Sequence, residues 1–486
     1  MKIIFLVFLI FTQFLVPTSL SAQKTEIQSS IKLKIDTYLK EGVKNGFSGA
    51  ILVAEKGEIV INQGYGLADK KNNIQNTPNT IFDIGSNTKQ FTAAAILKLS
   101  QLDKLKVTDS LSTFFPNVPS DKGNITIHQL LTHTAGFKAS IGKDFDPITT
   151  EDFFKKVFAS ELLHKPASKY SYSNIGYSIL ARIIELVSKM DYEVFLNVYL
   201  FKPSKMNQTG YLLPQWNTNL CAIGYNRNVM DIGATVTRYQ KDGGVSWHLK
   251  GNGGINSSQE DMYKWIKALS SNAILPTSLF EKYTASHTRN MNDSFGYAYG
   301  WGITNSDRDT KRITHNGSNG TFAHSIIWLP NEDVIILYST NASSPKVERL
   351  AYNIEKIIFN QNYQLKPIKK NPYFLVFDFI ENHGSKDSKE LYSIVKNGAN
   401  ADFKKSGVLN SIGYMILKED KNLEWAIEIF KLNSELFEDE GNVWDSLGDG
   451  YVANGQKEEA IISFRKAVAL KNEGTLKKLN ELLQKE

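Results

Sequence analysis

A serine that attacks a carbonyl needs a base within hydrogen-bond reach and donors facing the oxyanion that develops. Ser86 and Lys89, in the stretch Phe82-Asp83-Ile84-Gly85-Ser86-Asn87-Thr88-Lys89, meet the first need if Ser86 opens a helix, because a residue three positions on projects from the same face. Lysine acts as a base only where burial lowers its pKa, since an ammonium has no lone pair to offer. A helix N-terminus would add positive potential at the same point. The spacing alone is common and recurs at Ser29/Lys32, Ser140/Lys143, Ser343/Lys346, Ser393/Lys396 and Ser463/Lys466. Context selects Ser86, which alone follows a strand-like apolar approach, begins a small-residue helix suited to burial and lies downstream of a β-hairpin.

Two further patterns hold partners for that pair. Tyr172-Ser173-Asn174 is the one place where a tyrosine has asparagine two residues later. It stands just before a helical pattern, so both side chains can project from a loop into a cleft; equally, Asn174 could simply cap that helix. His315-Asn316-Gly317 is the one His-x-Gly in the chain and follows the strand-like Arg312-Ile313-Thr314. Gly317 would let a substrate backbone approach the strand edge. A histidine at a strand end can also be purely structural.

A scaffold must bring positions 86, 172 and 315 together. A hairpin is expected where residues 49–55 meet residues 59–66 across Lys56-Gly57. Helical periodicity marks residues 27–44, 88–102, 174–188 and 259–269. Short apolar or alternating runs at 300–303, 312–314, 323–329 and 334–338 read as strands, and residues 347–359 as a closing helix. Strands at both ends with helices between them predict a mixed α/β (α+β) fold. Its sheet should be mainly antiparallel and flanked by helices, with a helical lobe inserted in the middle and a cleft between lobe and sheet.

Together and in this order, the three patterns resemble the serine β-lactamase and penicillin-binding-protein superfamily, which includes class C β-lactamases, D-alanyl-D-alanine peptidases, D-aminopeptidases and related esterases. The likeness spans residues 47–359. It extends to Phe47-Ser48-Gly49-Ala50, Leu130-Leu131-Thr132-His133-Thr134-Ala135-Gly136, Gly253-Gly254-Ile255 and Tyr299-Gly300-Trp301-Gly302. The resemblance implies Ser86 as nucleophile, Lys89 as its activating partner and Tyr172 as proton shuttle. Asn174 would orient Lys89 and the substrate amide. His315 would form a polar, partly cationic wall, with Asn316, Gly317 and Ser318 beside the substrate, and the backbone N–H groups of Ser86 and Ser318 would make the oxyanion hole. Acylation and deacylation would need neither a metal nor an organic cofactor.

One departure bears on the substrate. Class C β-lactamases carry Lys-Thr-Gly or a close variant where this chain has His315-Asn316-Gly317. Lysine is a permanent cation for a substrate carboxylate, whereas histidine is mostly neutral at pH 7 unless its pKa is raised. That moves weight towards D-amino-acid peptidase or esterase activity, with at most weak β-lactamase activity. Lys405-Ser406-Gly407 is a more literal match but lies in a helical tail and opens no strand. His133 is expected to serve as a structural hydrogen-bonding group rather than as the base of a triad.

The remaining features place the chain. Its 486 residues exceed what one core normally organises, and 42% hydrophobic with 22% charged residues excludes wholesale disorder. A net charge of +6 without a long basic block argues against nucleic-acid binding. Met1-Lys2, the apolar run 3–16, Pro17 and the small residues 18–22 form the pattern of a secretory signal, with cleavage expected near Ala22. An exported bacterial protein, periplasmic or extracellular and without a transmembrane anchor after cleavage, is expected. Cys221 is the sole cysteine, so neither a lipid-attachment cysteine nor a disulfide is available.

The expected divisions are residues 1–22 signal, 23–362 catalytic domain, 363–400 connector with helices and 401–486 helical repeats. In the last, Trp444, Leu447, Gly448, Tyr451, Ala460, Phe464 and Ala467 resemble the tetratricopeptide repeat. Leu409, Ile412, Gly413, Ala426 and Phe430 form a preceding unit with one residue inserted between Gly413 and Ala426. This tail either packs or offers a groove to a protein partner, beside the small peptide, amide or ester substrate of the catalytic domain. A competing assignment is a non-catalytic penicillin-binding receptor or scaffold that holds a partner through the repeats.

Overall fold

The computed structural model describes residues 16–289, 295–342, 349–360, 362–398, 401–420 and 422–484, with side chains from Glu26 onward except at 289, 401, 402, 419 and 420. The apolar run expected as a signal lies outside the described residues up to position 15. Helix α1 (Val16–Lys44) begins earlier than the expected position 27, because Pro17 in its first turn lacks only an N–H that would be unbonded there. No helix among the described residues is long and apolar enough to cross a membrane. The chain divides into two compact units, Met1–Ile368 and Lys369–Glu486.

The first unit is built on an eight-stranded sheet. Strands β1 (Gly49–Glu55) and β2 (Glu58–Tyr65) form the expected hairpin. The other six come from the far end of the unit: β3 (Thr288–Arg289), β4 (Gly296–Tyr297), β5 (Gly302–Asn305), β6 (Lys311–Ser318), β7 (Ala323–Leu329) and β8 (Val334–Thr340). The spatial order is β2-β1-β8-β7-β6-β5-β4-β3, and every pairing is antiparallel. β6 extends beyond the expected 312–314, because Asn316, Gly317 and Ser318 continue the ladder opposite Ser325, His324 and Ala323.

Alternation along these strands separates two cores. Ile51, Val53, Ile327, Leu329, Ile336 and Tyr338 pack with Ile31, Ile35 and Leu39 of α1 and with Leu350, Ile354 and Ile357 of α6 (Leu350–Phe359). Leu52, Ala54, Ile326, Trp328, Ile335 and Leu337 face the inserted lobe. That lobe centres on α2 (Thr88–Gln101), α3 (Asn174–Ser188), α4 (Thr235–Asp242) and α5 (Gln259–Ser270). Residues Ala93, Ala94 and Ala95 of α2 are fully buried, and their small side chains let neighbouring elements approach this central helix closely.

The second unit is all helical: α7 (Pro372–Asn382), α8 (Ser388–Asn397), α9 (Ser406–Met415), α10 (Leu423–Leu436), α11 (Gly441–Ala453), α12 (Lys457–Ala469) and α13 (Thr475–Gln484). The same fit recurs in it twice. A Cβ added to Gly413 would lie 2.4 Å from the Phe430 ring, and one added to Gly448 would lie 2.3 Å from the Phe464 ring. Within the stretch that holds the extra residue between Gly413 and Ala426, α9 continues beyond Met415 as a π-helical turn at Ile416–Asp420.

Replacing Gly448 by valine is expected to destabilise the helical unit by about 1–3 kcal/mol, because the aromatic ring cannot retreat without opening a void. In calorimetric melting of the full chain, the transition assigned to residues 369–486 should move down while that of the sheet-containing unit stays in place.

Candidate active site

A turn of the chain puts Ser86 at the mouth of the inserted lobe. Residues Phe82–Asp83 pair with Asn256–Ser257, and the Ile84 N–H donates to the Ile255 carbonyl at 2.9 Å. Gly85 then turns with φ +52, a value that side chains other than glycine's rarely adopt. Ser86 lies in the single 3₁₀ turn Gly85–Asn87, which runs directly into α2. The Asp83 carboxylate braces this turn: it accepts from the Gly85 N–H at 2.7 Å, the Asn319 amide at 2.9 Å and the Thr235 hydroxyl at 3.2 Å. Burial pushes the Asp83 carboxyl up to about 6 against the lowering effect of these three donors.

Lys89 follows one turn later and is fully buried. Its amine lies 2.6 Å from the Asn252 carbonyl, 2.8 Å from Asn174 Oδ1 and 3.2 Å from Ser86 Oγ. Burial holds its pKa well below the usual lysine value. A neutral amine has two hydrogens and one lone pair. In that state the two carbonyl oxygens would take the hydrogens and the lone pair would be left for the Ser86 hydroxyl. Of the lysines in the Ser-x-x-Lys pairs named above, Lys32, Lys143, Lys396 and Lys466 are exposed.

Asn174 reaches Lys89 because it is not the cap of its helix. Ser173 is the N-cap of α3 and accepts from the Gly176 N–H, which leaves the Asn174 side chain free for the amine. The Ser173 N–H donates to His133 Nδ1 at 3.0 Å. His133 is thus a buried, neutral acceptor that positions the Tyr172-Ser173-Asn174 segment, with its ring 4.3 Å from that of Tyr172. The Ser86 hydroxyl also hydrogen-bonds to the Tyr172 phenol, whose pKa burial raises above its ordinary value. Ser86 Oγ thus has both the Lys89 amine and the Tyr172 phenol as hydrogen-bonding neighbours.

Strand β6 closes the opposite side. A Cβ added to Gly317 would lie 1.9 Å from the Ile84 carbonyl oxygen, and one added to Gly85 would lie 2.6 Å from the Ser318 nitrogen. The two glycines allow strand and turn to touch, bringing the Ser86 and Ser318 backbones together. His315 lies further up the same strand and is buried. Its Nδ1–H donates to the Asn316 carbonyl at 2.9 Å, so its Nε2 lone pair faces the Tyr297 hydroxyl at 3.3 Å.

Burial pushes the His315 pKa down to about 3. The expected partly cationic wall is therefore corrected to a neutral one. Desolvation outweighs the single backbone acceptor that would favour the charged form. The Asn316 side chain turns to the other face of the strand, where its Oδ1 accepts from the Ser325 hydroxyl at 2.7 Å.

Ser86, Lys89, Tyr172 and Asn174 thus meet directly, with Gly317 and Ser318 against the turn and His315 beyond them. Sequence reading did not find the Asn252 carbonyl or Asp83. Asn252 precedes the noted Gly253-Gly254-Ile255 stretch, and Asp83 stands inside the stretch quoted for Ser86, but neither residue type signals its role there. Among the described residues, no group of three or more His, Cys, Asp or Glu side chains is placed to hold a metal ion.

Two outcomes follow from the charge states. Unfolded Lys89 is protonated below about pH 10.4, while the folded group sheds its proton at lower pH. Between those two values the unfolded state binds more protons, and stability must rise with pH. Relative to Lys89→Met, the unaltered protein should gain up to about 1.4 kcal/mol per pH unit above the folded pKa and below about pH 10.4 in denaturant titrations; parallel pH dependences would mean that Lys89 stays charged. The rate ratio for a matched anionic and neutral ester should stay flat between about pH 8 and about pH 6, because His315 does not charge in that interval. A steep rise that disappears in His315→Gln would contradict its neutrality.

A family model described as Beta-lactamase matches residues 35–358. PbpX of Bacillus subtilis (strain 168), named as a candidate penicillin-binding protein, is 38% identical over 249 residues, which cover 51% of this chain and 61% of that protein. The chain thus matches about six-tenths of the length of this relative. The octameric penicillin-binding protein homologue from Pyrococcus abyssi superposes with a TM-score of 0.59 at 23% identity, covering 72% of this chain and 81% of that one. The D-alanine carboxypeptidase AmpC from Burkholderia cenocepacia gives a TM-score of 0.57 at 18% identity, covering 68% of this chain and 99% of that one. At these identities the two structures establish a shared fold.

Proposed function

Because the chain belongs to the beta-lactamase family, we propose that it is an exported bacterial serine hydrolase that works through an acyl-enzyme on Ser86. The observation that carries this reading is the buried Lys89 amine, within hydrogen-bond distance of Ser86 Oγ, Asn174 Oδ1 and the Asn252 carbonyl, with its pKa lowered by burial. In acylation, Ser86 Oγ bonds to the substrate carbonyl carbon as its proton passes to Lys89. The carbonyl oxygen becomes an oxyanion beside the Ser86 and Ser318 N–H groups. As the bond to the leaving group breaks, Tyr172 gives it a proton and is reprotonated by the Lys89 ammonium. Water then adds to the acyl carbon by the reverse relay, the Ser86–carbon bond breaks, and Ser86 regains its proton.

Asn174 holds the amine in place, and the β6 edge from His315 to Ser318 lies along the bound substrate. A D-amino-acid peptide, amide or ester suits this site better than a β-lactam. A neutral His315 offers no cation to the carboxylate that a β-lactam carries. The two glycine–phenylalanine fits of the second unit favour a tetratricopeptide-like array, and we assign to it the binding of a protein partner.

The name of the Bacillus subtilis relative makes a fluorescent penicillin a fitting probe, with a fluorophosphonate as its general counterpart. Ser86→Ala is expected to abolish both covalent labelling and ester turnover while the protein stays folded. Tyr172→Phe should cost about a hundredfold or more in rate, the scale of a lost proton carrier. Turnover near the unaltered level by folded Ser86→Ala would exclude this nucleophile. Failure of the unaltered protein to label with either probe would favour a non-acylating receptor.

A further inference from the structure

The carbonyl that faces Lys89 belongs to a loop that cannot hold its own shape. Gly251, Gly253 and Gly254 surround Asn252, and Gly251 and Gly254 take φ of +80 and +79, so the backbone has the freedom that only glycine gives. Side-chain hydroxyls supply the missing restraint. The Lys250 carbonyl accepts from Ser178 of α3 at 3.0 Å and that of Gly251 from Thr92 of α2 at 2.6 Å. The Gly253 carbonyl accepts from Tyr211 at 2.8 Å and that of Gly254 from Tyr239 of α4 at 2.9 Å. Of the five carbonyls from Lys250 to Gly254, that of Asn252 is the one left for the Lys89 amine, at 2.6 Å.

Among these four hydroxyls, that of Tyr211 bonds the loop backbone twice. It donates to the Gly253 carbonyl and accepts from the Gly251 N–H at 3.2 Å, and so grips the chain on both sides of Asn252. Tyr211 is itself held from behind. Glu193 Oε1 accepts from the N–H groups of Tyr211, Leu212 and Leu213 at 2.6, 2.8 and 2.9 Å. Gly210 pairs with Asn256 through two backbone bonds at 3.1 and 2.9 Å. The Tyr211 ring packs edge-on against that of Tyr239, 5.8 Å away, and the residue is 2% exposed. A buried polar group with all its bonds made rigidifies what it holds.

We propose that Tyr211 is a positioning residue for the reaction: by holding Gly251 and Gly253 it aims the Asn252 carbonyl at the Lys89 amine and so presents that amine to Ser86. The inference rests on the acyl-enzyme reading only for turnover; a titration of Lys89 tests it separately. Tyr211→Phe removes the hydroxyl and keeps the ring. It should lower kcat for an ester about tenfold, the scale of one hydrogen bond lost from a buried network, with KM within about twofold. Tyr239→Phe is the matched control, because the Gly254 carbonyl keeps the Asn256 amide at 3.1 Å. It removes a buried hydroxyl as well, yet kcat should stay within about threefold.

A carbonyl aimed at the amine favours its charged form. In NMR of the full chain with Cε-labelled lysine, the Lys89 signal being assigned by its absence in Lys89→Met, the Lys89 midpoint should therefore move to lower pH in Tyr211→Phe and stay in place in Tyr239→Phe. The titratable groups around the amine, Tyr172, Tyr177, His133, His315 and Asp144, are the same in both variants. Glu193→Gln loosens the anchor of Tyr211 without touching the loop; it should move the midpoint the same way by less, and it carries the test should Tyr211→Phe not fold. An unmoved Lys89 midpoint in the folded variant, or equal changes in Tyr239→Phe, would overturn the proposal. A moved midpoint in a protein that turns over no ester would support Tyr211 and count against the acyl-enzyme.

Discussion

Keeping a lysine amine uncharged inside a protein is the constraint around which this site is arranged. A buried amine loses its proton because the ammonium cannot recover its hydration energy. Two carbonyl oxygens, Asn174 Oδ1 and the Asn252 backbone, satisfy the hydrogens that remain. Each of those acceptors depends on other elements. Asn174 is free because Ser173 caps the helix, and Ser173 is itself held by His133. The Asn252 side chain donates to Ser178 and to the His248 carbonyl, both at 2.9 Å, which fixes the loop whose carbonyl faces the amine.

The sheet supplies the complementary constraint. Ser86 comes from the N-terminal third of the unit and Ser318 from near its end, yet their backbones are brought together where β6 meets the turn before α2. The contact is close enough that a side chain on Gly317 would run into the Ile84 carbonyl. Such an approach needs a rigid strand on one side and a rigid turn on the other. β6 sits inside the eight-stranded ladder, and the turn is held by the buried Asp83 with its three donors. Placement of this kind lets donors face a developing charge without reorganisation during reaction.

The electrostatic character of the cleft follows from burial more than from the inventory of residue types. Lys89, His133, His248 and His315 are all basic residues near the centre, and desolvation holds every one of them below its ordinary pKa. A site that reads as cationic in sequence is therefore close to neutral in structure. The cluster of Tyr170, Tyr172, Tyr177 and Tyr297 around His133 adds to this, since ring packing displaces water from the imidazole.

The grouping of Ser86, Lys89, Tyr172 and Asn174 is what the resemblance of their motifs to a known family implied, while the sequence by itself carried the short-range features: the hairpin at 49–66, the helices after Ser86 and Ser173, and the strands at 323–329 and 334–338. These are legible because helix period, strand alternation and turn chemistry act over a few residues. The single-residue insertion after Gly413 was visible as spacing, but the π-helical turn in that stretch was not. Only the tertiary structure decided that a backbone carbonyl at Asn252 serves Lys89, that Asp83 braces the turn and that His315 is neutral. Every residue carries a carbonyl, so residue type cannot mark the one that matters. Whether an ionisable group keeps its charge depends on what packs around it, and here those neighbours come from positions far apart along the chain.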